Sequence, residues 1–192
     1  MTARIVVLAS GSGTLFQALL DSSARGTDFE ISGFVTDQPA AAAIGRAASA
    51  GIPVAVISLE DFGTRDEWNA GLADAIATYE PDLVVSAGFM RVIAEPTLSL
   101  FDGRLINTHP ALLPQFPGAH AVRDALAAGA QVTGSTVHFV DAGVDTGPVI
   151  VQESVEILPS DDESSLHERI KVVERRLLVE VVTRMSQQLG KK

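Results

Sequence analysis

An amide, an imidazole and a carboxylate stand at places in this chain where they could transfer an acyl group to an amine. Asn107 and His109 belong to the segment Asn-Thr-His-Pro, which ends an apolar run, and Asp145 belongs to the segment Val-Asp-Thr-Gly-Pro further along. Such a transfer needs a donor directed at the developing oxyanion, a carrier of protons, and an acid that orients and charges the carrier. An isolated Asn-x-His is a weak motif, because a histidine at a strand end is often a structural polar residue.

The segment that follows His109 favours a functional site over a structural histidine. Residues 110–118 read Pro-Ala-Leu-Leu-Pro-Gln-Phe-Pro-Gly, with three prolines and one glycine. These residues fix an irregular backbone that regular core packing does not require. The motif and the loop together predict a functional site at His109.

Two carboxylates compete for the third role. Asp141 and Asp145 both lie in the glycine-containing segment 140–148, and residue types alone leave the choice between them open. Whichever aspartate lies within reach of His109 would favour its imidazolium form and so keep a proton available.

Three further histidines have other expected places. His138 alternates within Thr-Val-His-Phe, which predicts a strand position that could brace the catalytic loop. His120 follows Gly-Ala and could line a cleft, whereas His167 is expected at the surface.

A glycine-rich segment near the N-terminus predicts a site for a phosphate. Residues 10–14 read Ser-Gly-Ser-Gly-Thr between the first predicted strand and the first predicted helix, where helix N–H groups are free to bind an anion. Phe16 stands where a dinucleotide fingerprint has its third glycine, and the lysine of a triphosphate loop is absent. A monophosphate ester is therefore the expected ligand.

Alternating elements must position these groups, and their pattern predicts an α/β fold with an open, twisted, mostly parallel sheet and helices on both faces. Short β-branched runs predict parallel strands over 5–9, 31–36, 54–57, 83–87 and 105–107. Helices are expected over 15–23, 40–50, 66–79, 94–100 and 120–128. Two further runs, 133–140 and 149–155, predict an antiparallel C-terminal addition to the sheet.

The last helix is expected to begin near the acidic stretch 160–165 and to pack on the sheet. An apolar stripe at helical spacing supports this; its members are Leu166, Ile170, Val173, Leu177, Val181 and Met185. Glu174 lies beside the stripe, where the default for a carboxylate is solvation.

Composition narrows the class of protein. The 192 residues carry a net charge of -10, which argues against a partner as anionic as a nucleic acid. No cysteine is present, so thiolate metal sites and disulfides are excluded. The apolar run at residues 5–9 is too short for a signal core or a membrane span, so we expect one cytoplasmic domain over 1–192 without a membrane partner.

Three motifs in order carry a resemblance to a known family. Residues 107–118, Ala-Gly-Phe-Met-Arg at 87–91 and the stretch 138–150 together resemble the folate-dependent formyltransferases, most closely those acting on phosphoribosylglycinamide in purine synthesis. The resemblance implies a Rossmann-like formyltransferase fold, 10-formyltetrahydrofolate as co-substrate and no metal. It implies that Asn107, His109 and Asp145 are catalytic, and so selects Asp145 over Asp141.

The resemblance also implies two sets of binding residues. The ribotide substrate would be held by Gly11, Ser12, Gly13, Thr14, Leu15 and Glu174, the last of these on the ribose hydroxyls. The folate would be held by Arg65, Met90, Arg91, Val92, Ile93 and Asn107. Residues 89–93 alone could equally cap the core, since they simply follow a strand. Leu15 departs from the family, which commonly has asparagine there, so only its main-chain N–H can bind.

The resemblance implies an N-terminal half, about 1–100, for the phosphate and a C-terminal half, about 101–192, for catalysis and folate. Rival functions are a formyltetrahydrofolate deformylase, a methionyl-tRNA formyltransferase and a folate- or ribotide-binding module without turnover. The first usually has an added N-terminal domain and the second a basic RNA-binding domain, neither of which fits this chain. The expected partners are the phosphorylated substrate and the reduced folate, and assembly into a homodimer is left open.

Overall fold

A seven-stranded mixed sheet forms the centre of the molecule in the computed structural model, which describes residues 2–26 and 28–189. The strands are β1 (Ala3–Leu8), β2 (Phe29–Thr36), β3 (Val54–Val56), β4 (Leu83–Ser86), β5 (Leu105–His109), β6 (Val132–Phe139) and β7 (Val149–Glu156). Their spatial order is β3-β2-β1-β4-β5-β6-β7. The first five pair in parallel, and β6 and β7 are antiparallel additions, as the sequence predicts.

In the described residues, six α-helices and one short 3-10 helix, Leu59–Asp61, connect or cover the strands. The α-helices are α1 (Thr14–Ser23), α2 (Ala43–Ser49), α3 (Arg65–Ala77), α4 (Thr97–Leu100), α5 (Ala121–Ala127) and α6 (Glu163–Leu189). The helix predicted over 94–100 spans only Thr97–Leu100, because Pro96 disfavours helical geometry at the preceding residue. The helix predicted over 40–50 spans only Ala43–Ser49.

Hydrophobic clusters lie on both faces of the sheet. Ile5 and Val7 of β1 point to the face covered by α1 and α6, whereas Val6 and Leu8 point to the face covered by α3. Strands buried on both faces need a continuous apolar sequence, and β1 has one from Ile5 to Leu8. The stripe on α6 faces the sheet as predicted, with Leu166, Ile170, Leu177 and Val181 buried.

The strand order reverses direction between β1 and β4, which are neighbours in the sheet. In an open α/β sheet, the loops at the carboxyl ends of the strands separate at such a point and leave a crevice that ligands occupy. The loop after β1 carries the predicted phosphate site, and the loop after β4 carries residues 89–93. Both therefore face the same crevice. No helix in the described part of the chain is long and apolar enough to cross a membrane.

Candidate active site

A cleft of about 480 Å³ opens at this crevice. Its walls come from the loop after β1, the loop after β4, the end of β5, the segment between β6 and β7, and one side of α6. The cleft thus brings together the phosphate loop, residues 89–93 and the Asn-x-His motif, which are far apart in sequence.

The alternation of β5 separates two functions. Asn107 and His109 point to one face of the sheet, while Thr108 between them points to the opposite face, because side chains alternate along a strand. Thr108 reaches α6 there and donates its hydroxyl to Glu174. The antiparallel register sets Asn107 opposite His138 of β6, so their side chains lie on the same face.

His109 is 4% exposed and is held at both ring nitrogens. Its Nε2 lies 2.8 Å from the carbonyl oxygen of Phe116, and its Nδ1 lies 3.3 Å from Oδ2 of Asp145. A carbonyl oxygen only accepts hydrogen bonds, so Nε2 carries a proton. The carboxylate beside Nδ1 also only accepts hydrogen bonds, so each ring nitrogen of His109 faces an acceptor.

Asp145 is the carboxylate that contacts His109. Its Oδ2 accepts the N–H of Gly118 at 2.8 Å, and its Oδ1 lies 3.4 Å from the Asn107 amide nitrogen. Burial tends to raise the pKa of Asp145, but hydrogen bonds from His138 and Gly118 and the charges of the two histidines hold the pKa below its usual value. The residue adopts a positive φ of 56°, a strained backbone conformation of the kind that occurs at functional sites.

Asp141 has a different task. Its Oδ1 accepts the N–H of Gly143 at 3.1 Å and the hydroxyl of Thr146 at 2.7 Å. These are contacts within its own loop. The two carboxylates that the sequence leaves open are thus separated by geometry, with Asp141 bracing the loop and Asp145 facing His109.

His138 orients Asn107. Its Nδ1 lies 2.8 Å from the Phe139 carbonyl oxygen and donates to it. Its Nε2 lies 3.2 Å from the Asn107 amide nitrogen and 3.5 Å from Oδ1 of Asp145, so the ring faces both groups. The bracing role predicted for His138 therefore has a defined partner, the side chain of Asn107.

The two remaining histidines differ from the sequence expectations. His120 is exposed at the start of α5 and lies outside the cleft lining, so the prediction that it could line a cleft is wrong. The surface position expected for His167 is also wrong, since this residue is half-buried and lines the cleft, because α6 turns this side toward the ligand space. Burial, together with the charge of Lys171, holds the pKa of His167 below its usual value.

Two main-chain carbonyls of the predicted phosphate loop accept hydrogen bonds from α2. The carbonyl of Gly11 accepts from Ala43 N–H at 3.2 Å, and the carbonyl of Ser12 accepts from Arg46 Nε at 2.8 Å, so both carbonyls face α2. Within the described part of the chain, no side chain caps the N-terminus of α1. Gly13 has a φ of 67°, and a Cβ there would lie 2.6 Å from the Ala43 Cβ, so this position requires glycine. Together with Thr14 these residues line the cleft.

The Leu15 side chain belongs to the hydrophobic core beneath the loop and is 9% exposed. The main chain at this position is therefore what the loop can offer to a ligand, in line with the expectation from its apolar side chain.

The carboxylate of Glu174 is buried, whereas a charged side chain beside an apolar stripe is ordinarily exposed to solvent. It is 4% exposed and lines the cleft from α6. Burial raises the pKa of Glu174 to about 7, against the hydrogen bond from Thr108 and the charges of Lys171 and Arg175. Sequence reasoning missed Lys171, which lines the same cleft three residues before Glu174. The Lys-x-x-Glu spacing was the available signal, because residues three apart share one side of a helix.

The loop after β4 divides into core and cleft residues. Phe89 and Ile93 are buried, whereas Met90 and Val92 are 63% and 53% exposed at the cleft. Arg91 lines the cleft too, with its Nε 2.7 Å from Oδ2 of Asp37. The stretch therefore both caps the core and presents an apolar wall, which resolves the two interpretations left open by the sequence.

Arg65, unlike the other predicted folate contacts, is outside the cleft lining. Its Nη2 donates to the Val92 carbonyl at 2.6 Å, and its guanidinium lies 4.3 Å from the centre of the Trp68 ring. Arg65 supports the wall at Val92 in this arrangement. Among the described residues, no group of three or more His, Cys, Asp or Glu side chains is placed to hold a metal ion.

Fold and site together define an α/β enzyme that joins the predicted phosphate loop and an apolar wall at a histidine–aspartate pair. A family model described as formyl transferase matches residues 3–182. The chain is 53% identical over 184 residues to phosphoribosylglycinamide formyltransferase of Mycobacterium tuberculosis, covering 96% of this chain and 85% of that protein. It is also 46% identical to trifunctional purine biosynthetic protein adenosine-3 of Drosophila melanogaster, covering 89% of this chain and 13% of that protein.

Solved structures agree with the sequence comparisons. Glycinamide ribonucleotide transformylase 1 from Symbiobacterium toebii superposes with a TM-score of 0.95 at 39% identity, covering 97% of this chain and 89% of that one. The chain belongs to the formyl transferase family.

Proposed function

We propose that this enzyme transfers the formyl group of 10-formyltetrahydrofolate to the amine of 5-phosphoribosylglycinamide, giving formylglycinamide ribotide and tetrahydrofolate in purine synthesis. The observation that carries the proposal is the contact between His109 and Asp145 in a cleft with a phosphate loop on one side and an apolar wall on the other. Relatives named for this activity match almost the whole chain.

The ribotide half of the cleft suits a phosphorylated sugar. Main-chain N–H groups at the start of α1 can bind the phosphate, and Lys171 supplies a cation within the same cleft. A carboxylate such as Glu174 is a suitable acceptor for the two ribose hydroxyls. These local features allow an anionic substrate to bind despite the net charge of -10.

The folate half suits a flat ring with polar edges. Met90 and Val92 offer apolar surface, and no described residue accepts from the main-chain N–H groups of Arg91 and Val92. Those groups can bond to the pterin edge, whereas Met90 N–H already donates to Ser10. Arg65 contributes to folate binding indirectly in this proposal, because its hydrogen bond to the Val92 carbonyl holds the wall in place.

The reaction proceeds by direct attack. The amine nitrogen bonds to the formyl carbon, a tetrahedral species forms, and the bond from that carbon to N10 of the folate then breaks. One proton leaves the amine, and one proton reaches N10, so no net proton is exchanged with solvent. His109, with Asp145 holding its charge, manages these protons directly or through water.

Asn107 stabilises the negative charge on the formyl oxygen. Its amide nitrogen lies 3.2 Å from His138 and 3.4 Å from Asp145, which orients the amide toward the reacting groups. The longer of these contacts is weak enough for an N–H to turn to the oxyanion. One such donor lowers a barrier of this kind by roughly 2.7–4 kcal/mol.

A deformylase uses the same acid–base groups but lets water attack. The proposal is supported over this rival by the ribotide features on α6, which hydrolysis of a formylfolate does not need. We further propose a cytoplasmic enzyme that acts as one unit over 1–192 without metal, nucleic acid or membrane. Both halves of the chain supply residues to each part of the cleft. Glu174, from the C-terminal half, lines the cleft together with the N-terminal phosphate loop, and residues 89–93, from the N-terminal half, line it together with the C-terminal catalytic groups.

The direct test is release of tetrahydrofolate from 10-formyltetrahydrofolate with and without phosphoribosylglycinamide. We expect release only when the ribotide is present, together with one equivalent of formylated ribotide. Release at the same rate without the ribotide would identify a deformylase. Binding of both ligands without release would identify a binding module.

A further inference from the structure

Asp37 is a buried carboxylate that belongs to none of the groups assigned above. It follows the last residue of β2 and is 2% exposed. Its Oδ1 accepts the hydroxyl of Ser10 at 2.5 Å, and its Oδ2 accepts Arg91 Nε at 2.7 Å and the Gln38 amide at 2.8 Å. Burial opposes the charge, but these hydrogen bonds and the Arg91 cation hold the pKa of Asp37 below its usual value.

Ser10 connects this carboxylate to both sides of the cleft. It directly precedes Gly11 of the phosphate loop, and its own N–H donates to the Gly88 carbonyl at 3.0 Å. Its hydroxyl oxygen also accepts the N–H of Met90 at 2.8 Å. The three loops meet because β2, β1 and β4 are consecutive in the sheet, so their carboxyl ends share one edge.

Arg91 is held by Asp37 in a way that leaves its binding atoms available. Only Nε is used by the carboxylate, and no described residue accepts from the two terminal nitrogens. The side chain is 33% exposed, and the residue lines the cleft. An unanchored arginine loses rotamer freedom when a ligand immobilises it, and an anchored one loses less.

We propose that Asp37 is a positioning residue for the folate half of the cleft. One carboxylate oxygen fixes the direction of the Arg91 guanidinium, and the other, through Ser10, fixes the peptide of Met90 and hence the main chain of the apolar wall. The inference rests on the proposed function, because it takes the ligand of this wall to be the formylated folate. It differs from a purely structural ion pair by predicting a selective effect on one substrate.

The test uses Asp37→Asn in steady-state kinetics with both substrates. The asparagine side chain introduced there has one oxygen and one NH2 group, so when its oxygen accepts from Arg91 its NH2 group must face Ser10. The Ser10 hydroxyl then loses its acceptor, and Arg91 loses its negatively charged partner. We expect the KM for 10-formyltetrahydrofolate to rise about tenfold, while kcat stays within threefold and the ribotide KM within twofold. Equal rises in both KM values, or no rise in either, overturn the proposal.

Asp82→Asn is the matched control. Asp82 is another sheet-edge carboxylate, and it accepts the N–H of Arg4 at 2.8 Å at the edge opposite the cleft. The Asp82→Asn substitution should lower the stability of the protein without changing the KM for either substrate. Asp37→Glu is the second variant: it keeps the buried charge, which supports folding, but displaces it by one methylene. A rise of about threefold in the folate KM alone is expected, and an unchanged folate KM in this variant also overturns the proposal.

A double-mutant cycle with Arg91→Met tests the route of the effect. If Asp37 acts mainly through Arg91, the double variant should raise the folate KM by no more than about twentyfold, although each single change raises it about tenfold. A rise near one hundredfold would mean independent effects and would contradict positioning through Arg91. If the unchanged protein neither binds the folate nor releases tetrahydrofolate, the proposed function fails as well; failure in the variants alone overturns only the role of Asp37.

Discussion

The hydroxyl of Thr108 donates to the carboxylate of Glu174 across 3.3 Å, and this contact joins the back of the catalytic strand to the long helix α6. Thr108 stands between Asn107 and His109, so the contact fixes the strand that carries both catalytic candidates. Glu174 also lines the cleft, on the side that we propose binds the ribotide. We therefore expect its protonation to affect both substrate binding and stability.

Ribotide binding should depend on the charge of Glu174. The pKa of about 7 means that the acceptor is mostly neutral at pH 6 and mostly charged at pH 8. Hydrogen bonds to a charged acceptor are stronger, so the ribotide KM should fall by about fivefold over this interval. In Glu174→Gln, the part of this fall in the ribotide KM that depends on Glu174 should vanish. Any remaining dependence of the ribotide KM on pH then comes from ionisation of the substrate phosphate. A fall of equal size in both proteins would remove Glu174 from the ribotide site.

The same substitution should stabilise the protein at high pH. Because folding raises the pKa of Glu174 from 4.5 to about 7, its stabilising contribution is complete below pH 4.5 and is lost as pH rises through 7. The loss amounts to about 3 kcal/mol at most. Glu174→Gln should therefore show a Tm several degrees above that of the unchanged protein at pH 8, and the difference should shrink at pH 5. Thermal unfolding at both pH values measures it.

His109→Ala should lower kcat by about 10²–10⁴-fold, the usual range for lost acid–base catalysis. Both KM values should change little, because the ring is held by Phe116 and Asp145 rather than placed along either binding wall. His120→Ala is the control, since His120 is exposed outside the cleft lining, and it should be silent. A loss in His109→Ala of less than tenfold would remove His109 as the proton carrier.

Asp145→Asn and Asp141→Asn should separate the two carboxylates of one loop. The first removes the charge 3.3 Å from His109 and should lower kcat by at least about tenfold. The second alters contacts to Gly143 and Thr146 within the loop, which should cost about 1 kcal/mol of stability and change kcat by less than threefold. Kinetics and thermal unfolding of both variants are needed. The reverse ranking of kcat would assign the catalytic role to Asp141.

Gly13→Ala should raise the ribotide KM at least tenfold and leave the folate KM within twofold. The new methyl group meets Ala43 at 2.6 Å in a left-handed backbone, so the loop must shift, and strain of about 1–2 kcal/mol is added. Gly11→Ala is the matched change in the same loop, where a Cβ has no atom within 4 Å. It should leave stability unchanged. Separate titrations with the ribotide and the folate would expose a phosphate site elsewhere if Gly13→Ala weakened only the folate.

Local sequence pattern by itself determined the class of the fold and much of the site. Alternating β-branched runs and helical stretches predicted the parallel strands, because a buried parallel strand requires a continuous apolar sequence. Residue types near a strand end identified Asn107 and His109 as catalytic candidates, although the predicted strand stopped at Asn107, two residues short of the end of β5. The glycines near the first helix predicted a loop for an anion. Each of these inferences depends on neighbours within a few residues.

Tertiary structure alone decided which distant groups meet. Asp145 rather than Asp141 faces His109, Glu174 is buried against Thr108, and Arg65 supports Val92 instead of lining the cleft. The pairing of Asp37 with Ser10 and Arg91 likewise joins residues that are 27 and 54 positions apart. No local periodicity encodes such contacts, since they arise only where the sheet order brings the carboxyl ends of separate strands to one edge and where α6 packs across them.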